Sequence, residues 1–100
     1  MNNSFESLEG WYSSQCNGTW EHEWGIDITT IDNPGWRVRI DLRETNLSGR
    51  DFEGVDIDRT SENWLRCNVT GEKFEGVGGV CNLSEILEIF LGWAARAGRE

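Results

Sequence analysis

The stretch Trp20-Glu21-His22-Glu23-Trp24-Gly25-Ile26-Asp27-Ile28-Thr29-Thr30-Ile31-Asp32-Asn33-Pro34-Gly35-Trp36-Arg37-Val38-Arg39-Ile40-Asp41-Leu42 decides how this chain folds. Ile26, Ile28 and Thr30 alternate with Asp27 and Thr29. Beyond Asp32-Asn33-Pro34-Gly35, Trp36, Val38, Ile40 and Leu42 alternate with Arg37, Arg39 and Asp41. Period-two alternation on both sides of a Pro-Gly turn predicts a β-hairpin with one buried and one wet face. The chain's only proline sits in that turn, where its fixed φ helps and its missing N–H costs no ladder bond. Pairing Ile28 with Val38 sets Ile26 opposite Ile40 and Asp27 opposite Arg39. A two-residue slip would set Asp27 against Asp41, a like-charge pair, so the first register is favoured.

Outward from the hairpin, the N-terminal segment reads as a helix. Asn3 with Glu6 has capping-box spacing, Phe5, Leu8, Tyr12 and Cys16 recur at helical spacing beside Trp11, and Asn17-Gly18 supplies a stop. On the C-terminal side, Glu44 to Arg50 is a polar turn region. Gly54 to Arg59 alternates, with Val55 and Ile57 inward and Asp56 and Asp58 outward. Asn63 to Thr70 places Leu65, Cys67 and Val69 on one face and Trp64, Arg66 and Asn68 on the other. After the turn at Thr70-Gly71-Glu72-Lys73, Phe74 to Val77 offers a short fifth strand, and Gly76, Gly78 and Gly79 read as a flexible connection. Asn82 and Glu85 repeat the capping-box spacing and open a last helix. Leu83, Ile86, Leu87, Phe90 and Ala94 line its inner side, and Ile89, Leu91 and Trp93 widen the apolar arc. Arg96 and Arg99 suit its negative pole, and Gly98 ends it.

Helix, strands joined by short turns, helix: this order predicts an α+β fold. An antiparallel four- to five-stranded meander carries an N-terminal and a C-terminal helix packed on one face, the face of Ile28, Val38 and Ile40. Residues 1–100 form one domain, with a core that is adequate but not large.

Composition narrows the function classes. Eighteen acidic against nine basic side chains give a net charge of −9, which disfavours nucleic acid or an anionic membrane as a partner and suits a basic one. No stretch has the length and apolarity of a membrane span, and Met1 to Gly10, with Glu6 and Glu9, lacks the pattern of a signal peptide. Cys16, Cys67 and Cys81 are odd in number and widely spaced. They read as reduced thiols of a cytoplasmic protein, with one disulfide plus a spare as the alternative. The N-x-[ST] matches at Asn2, Asn17, Asn46, Asn68 and Asn82 are incidental on this reading, since the same residue types make caps and turns.

Few side chains form a chemical constellation. Glu21-His22-Glu23 resembles a metal or acid–base cluster, but on an extended segment the two carboxylates would converge while His22 faces away. The chain holds no second histidine. No metal, no cofactor and no catalytic residue is expected, so the chain does not read as an enzyme. The glycines at 76, 78 and 79 precede a helix yet lack the lysine of a phosphate-binding loop, and a hinge or tight turn accounts for them better. Cys16 and Cys67 fall on apolar faces and read as core. Six tryptophans are many for a core of this size. Trp36 and Trp93 fit inside, whereas Trp11, Trp20 and Trp64 are harder to bury. A tryptophan beside carboxylates makes a plausible contact surface, so Trp20, Glu21, His22 and Glu23 form one candidate binding patch, and Asp56 and Asp58 on the wet sheet face form a second.

The run Trp11-Tyr12, Gln15-Cys16-Asn17-Gly18, Trp20-Glu21-His22, Gly25-Ile26, Asp32-Asn33-Pro34-Gly35-Trp36 and Ile40-Asp41-Leu42 resembles the bacterial immunity protein family fifty-three. Lys73-Phe74-Glu75-Gly76 and Asn82-Leu83 through Glu85-Ile86-Leu87-Glu88-Ile89-Phe90 extend the resemblance over nearly the whole chain. It implies a cytoplasmic immunity protein of a polymorphic toxin system, which binds its cognate toxin and protects the producing cell. It carries over no catalytic residues. Many antibacterial toxins are nucleases with basic clefts, a class that an acidic partner would occlude. A small Trp-rich ligand-binding domain, a small enzyme or a purely structural subunit are the competing readings, and co-purification with a neighbouring toxin separates them.

Overall fold

A computed structural model of the chain describes residues 3–97, and in it the hairpin takes the favoured register. Strand β1 (Ile26–Ile31) pairs antiparallel with β2 (Gly35–Asp41), with Ile28 opposite Val38, Ile26 opposite Ile40 and Asp27 opposite Arg39. The remaining strands are β3 (Val55–Thr60), β4 (Asn63–Thr70) and β5 (Lys73–Gly78). Helices α1 (Ser4–Gln15) and α3 (Leu83–Ala97) stand at the two ends of the chain, and one turn of helix, α2 (Trp20–Glu23), leads into β1. The fold is α+β. The expected helix stop at Gly98, the dipole partner Arg99 and the glycosylation-type match at Asn2 lie outside the described residues.

All strand pairs are antiparallel, but the sheet is not a simple meander. Its order is β1-β2-β5-β4-β3. The reason lies in the segment between β2 and β3, which the sequence presents as polar. Leu42, Thr45 and Leu47 there are buried, and the Thr45 hydroxyl donates to Leu42 O (2.7 Å) and accepts from Leu47 N (3.1 Å). A connection with its own core anchors can carry the chain to the far edge, from which β3, β4 and β5 return strand by strand to meet β2.

Helix α3 lies across the apolar face of β2, β5 and β4. It buries Ile86, Leu87, Phe90, Trp93 and Ala94, an i, i+1, i+4, i+7, i+8 stripe. Each large apolar side chain so buried contributes about 1.5–3 kcal/mol relative to exposure. The glycines of β5 are what let the helix approach. A Cβ on Gly76 would collide with Ile86 Cγ2, and one on Gly78 would stand 2.9 Å from Trp64 O and 3.2 Å from Ile86 Cδ1. They form neither hinge nor flexible connection: Gly76 and Gly78 are buried residues of the central strand. Asn82 does not complete the expected capping box. Its side chain accepts from Trp64 N (3.3 Å) and donates to Asn63 Oδ1 (3.0 Å) and Glu85 Oε1 (3.2 Å), which fastens the start of α3 to β4.

Helix α1 has Asn3 in the cap role its sequence predicts, with Asn3 Oδ1 accepting from Phe5 N at 2.8 Å, but among the described residues Glu6 makes no return bond that would complete a capping box. It packs on α3 and buries only Leu8, while Phe5 and Tyr12 are exposed. Cys16 is therefore not core. It is exposed just past the helix, whereas Cys67 is fully buried, and burial, aided by the charge of Glu85, pushes its thiol up to about 12. All three cysteines are unpaired. Ile28 departs from expectation in the same way: it shares the face of Val38 but lies beyond the cover of α3 and is 36% exposed.

Candidate functional site

The segment that enters the hairpin is helical, not extended. Asn17 Oδ1 accepts from Thr19 N (2.9 Å) and Trp20 N (3.0 Å), which turns the chain into α2. The Glu21 carboxylate accepts from Asn17 N (2.9 Å) and Gly18 N (2.7 Å) and so closes the turn before α2 from the other side. Backbone N–H donors, its own first and then those of Asn17 and Gly18, outweigh partial burial and hold the Glu21 carboxyl below its ordinary pKa. Glu21 thus shapes the segment. His22 and Glu23 are exposed, as a single helical turn leaves them.

Trp20 belongs to the core. It is 0% exposed, its indole donates to Asp41 O (3.3 Å), and its ring packs against Trp11 at 5.7 Å and Tyr12 at 5.6 Å. It fixes α2 to the end of β2 and offers no surface to a partner. The other tryptophans follow a related rule, for none of the six is exposed. Trp36 donates to Val80 O (2.9 Å) and Trp93 to Asp51 O (2.8 Å), so these indoles tie connecting segments to the core rim. Trp11 Nε1 is buried without a hydrogen-bond partner, and its ring meets Trp20 and Phe90 edge to face.

Beside α2 the structure assembles groups that sequence reading did not single out. Trp24 is half-buried, with the Arg43 guanidinium carbon 4.9 Å from its ring centroid. Arg43 also grips Asp41 through Nε (3.0 Å), its terminal nitrogen (2.7 Å) and its backbone N–H (3.0 Å). Burial works to raise the Asp41 pKa, but these hydrogen bonds and the charges of Arg43 and Lys73 prevail and hold it low. A polar depression of about 240 Å³ opens here between Glu23, Trp24, Asp27, Arg39 and Lys73. The signal was available: carrying the hairpin register two residues outward sets Trp24 opposite Leu42, next to Arg43.

On the open sheet face, Asp27 stands opposite Arg39, but the Arg39 guanidinium turns to Glu75 of β5 at 3.0 Å. Among the described residues Asp27 is left without an ion pair. Asp56 pairs with Arg66 at 3.4 Å, both side chains exposed, and Asp58 lies opposite Trp64. Such exposed pairs are worth about 0–1 kcal/mol each. The two candidate patches are not brought together. Glu21, His22 and Glu23 adjoin β1, Asp56 and Asp58 lie on β3, and four strand spacings, roughly 19 Å, separate those edges. Among the described residues no group of three His, Cys, Asp or Glu side chains could hold a metal ion. No helix of the described residues is long and apolar enough to cross a membrane.

The family model described as immunity protein 53 matches residues 5–95, a span from the second residue of α1 to the last turn of α3. The chain belongs to this family. No curated protein and no solved structure matches it significantly. The two candidate patches stand at opposite edges of one sheet.

Proposed function

We propose that this immunity protein works in the cytoplasm of the bacterium that makes it, where it binds a cognate toxin directly and neutralises it by occluding a basic surface. A nuclease with a basic cleft is the toxin class that fits best. The observation that carries this reading is the net charge of −9 together with carboxylates, Glu23 and Asp27 foremost, that stand exposed and without ion pairs among the described residues. Long-range attraction of that kind speeds association and selects for a partner of opposite charge.

Of the two patches, the one around α2 is favoured. His22 and Glu23 are exposed there, Glu21 and the buried Trp20 hold the turn that presents them, and Trp24 supplies an aromatic surface beside them. Asp56, by contrast, is already engaged by Arg66. Co-expression with the toxin encoded beside the chain's gene tests the proposal. The two should co-purify in a one-to-one complex, and cells should grow when both are made. A toxin that kills regardless and never co-purifies would contradict it.

A further inference from the structure

The proposed toxin binding leaves open how the partner is held, and the two edges of the sheet differ in a way that bears on this. In the β1–β2 ladder, Asp41 N donates to Gly25 O at 3.1 Å. With Ile26 opposite Ile40, residues 25, 27, 29 and 31 therefore bond inward to β2. The other side of β2 agrees, since Leu42 N donates to Glu72 O (2.8 Å), which turns its even-numbered residues toward β5. The backbone N–H and C=O groups of Ile26, Ile28 and Thr30 consequently point away from the sheet, and β1 is an end strand. Three donors and three acceptors stand in a row with no neighbouring strand.

Strand β3, the opposite edge, is guarded in the ways natural sheets guard edges. Its pairing with β4 is irregular between Asp58 and Thr60, it carries Asp56 and Asp58, and Arg59 is tied over to Glu85 of α3 at 3.0 and 2.7 Å. Strand β1 has neither the irregular pairing nor the tie to a helix, and it carries fewer charges. Its register is regular, Asp27 is its only charge, and Ile26, Ile28, Thr29, Thr30 and Ile31 are all β-branched. Such a segment is a template for one more strand.

We propose that the toxin docks by adding an extended segment of its own to the outer edge of β1. This deepens the function proposed above and rests on it. The chemistry of the segment follows from what flanks the edge. On the helix side it would meet Ile28, 36% exposed, and so carries an apolar residue there. On the open side it would meet Asp27 at a position between hydrogen-bonded pairs, where facing side chains come closest, and so carries a Lys or Arg. Glu23 before β1 and Asp32 after it, both exposed, extend the preference for a basic segment along the whole edge. A second copy of this chain would bring the same carboxylates and another −9 to the contact, which makes it the poorer occupant.

The test combines amide hydrogen exchange with two edge variants, using the purified toxin encoded beside the chain's gene. On complex formation the amides of Ile26, Ile28 and Thr30 should slow by about tenfold or more as they gain acceptors. Thr30→Pro removes one outward N–H and blocks a neighbouring strand without touching the bonds to β2, and Ile28→Lys places a repelling charge on the same edge. Either variant should weaken binding on the order of a hundredfold at unchanged melting temperature. Should Thr30→Pro fail to fold, Ile28→Lys still decides. If the toxin binds while those three amides exchange as before and the variants bind like wild type, the edge proposal is overturned and toxin binding stands. If the wild-type chain does not bind the toxin, both fall. Protection of the same amides that rises with protein concentration alone, with dimers in sedimentation, would overturn the proposal in favour of self-pairing.

Discussion

Val38 and Ile28 face each other across one hairpin on the same side of the sheet, yet Val38 is fully buried and Ile28 is 36% exposed. The difference is not in their chemistry or their register. Helix α3 covers the three middle strands β2, β5 and β4, and β1 lies outside its footprint. Alternation in a sequence states which residues share a face; only the placement of the covering layer states how much of that face is dry. The centre of the sheet is thus given over to stability, with glycines shaped to a helix, while the β1 edge leaves Ile28, Glu23 and Asp27 exposed.

Substitutions can break this comparison. Val38→Asp buries a charge with no partner and should cost on the order of 4 kcal/mol or more, enough to unfold most of the chain, as read by chemical denaturation. A Val38→Asp protein that melts like wild type would mean that the centre is not packed as described. Gly76→Val drives a branched side chain into Ile86 and should lower stability by about 1–3 kcal/mol in the same assay, because helix and strand must separate. A neutral result would show that α3 can lift off β5 without loss. The smallest effect belongs to the edge. Ile28→Asp, the same type of change one strand away from Val38, should shift stability by less than about 1 kcal/mol. A loss approaching that of Val38→Asp would erase the distinction between centre and edge.

Much of the fold was legible because local rules and global packing agree. The hairpin register followed from apolar alternation and one charge argument, the span of β4 from strict period two, and the inner face of α3 from its spacing. The strand order was not legible, because it depends on where the segment from Leu42 to Gly54 crosses, and nothing in a polar-looking stretch announces that Leu47 will be fully buried. Gly76 and Gly78 were misread for a related reason. A glycine in a strand and a glycine in a hinge look alike until the helix above them is placed. At the site, Glu23, Asp56 and Asp58 were correctly expected on the surface. Trp20 was not legible as core, since the one-turn helix that buries it depends on backbone N–H groups donating to the side chains of Asn17 and Glu21, which periodicity does not reveal.

The central claim, that an acidic edge draws and holds a basic toxin, is tested most directly by a binding titration at several salt concentrations. The wild-type chain and a Glu23→Lys, Asp27→Lys double variant would each be titrated with the toxin encoded beside it. Both positions are exposed and make no ion pair among the described residues, so the fold should be retained. The account predicts one-to-one binding that weakens as salt rises, and an association rate reduced about tenfold or more in the double variant. Binding that is indifferent to salt and equal in the two proteins would contradict it and leave an apolar contact elsewhere on the surface as the mechanism.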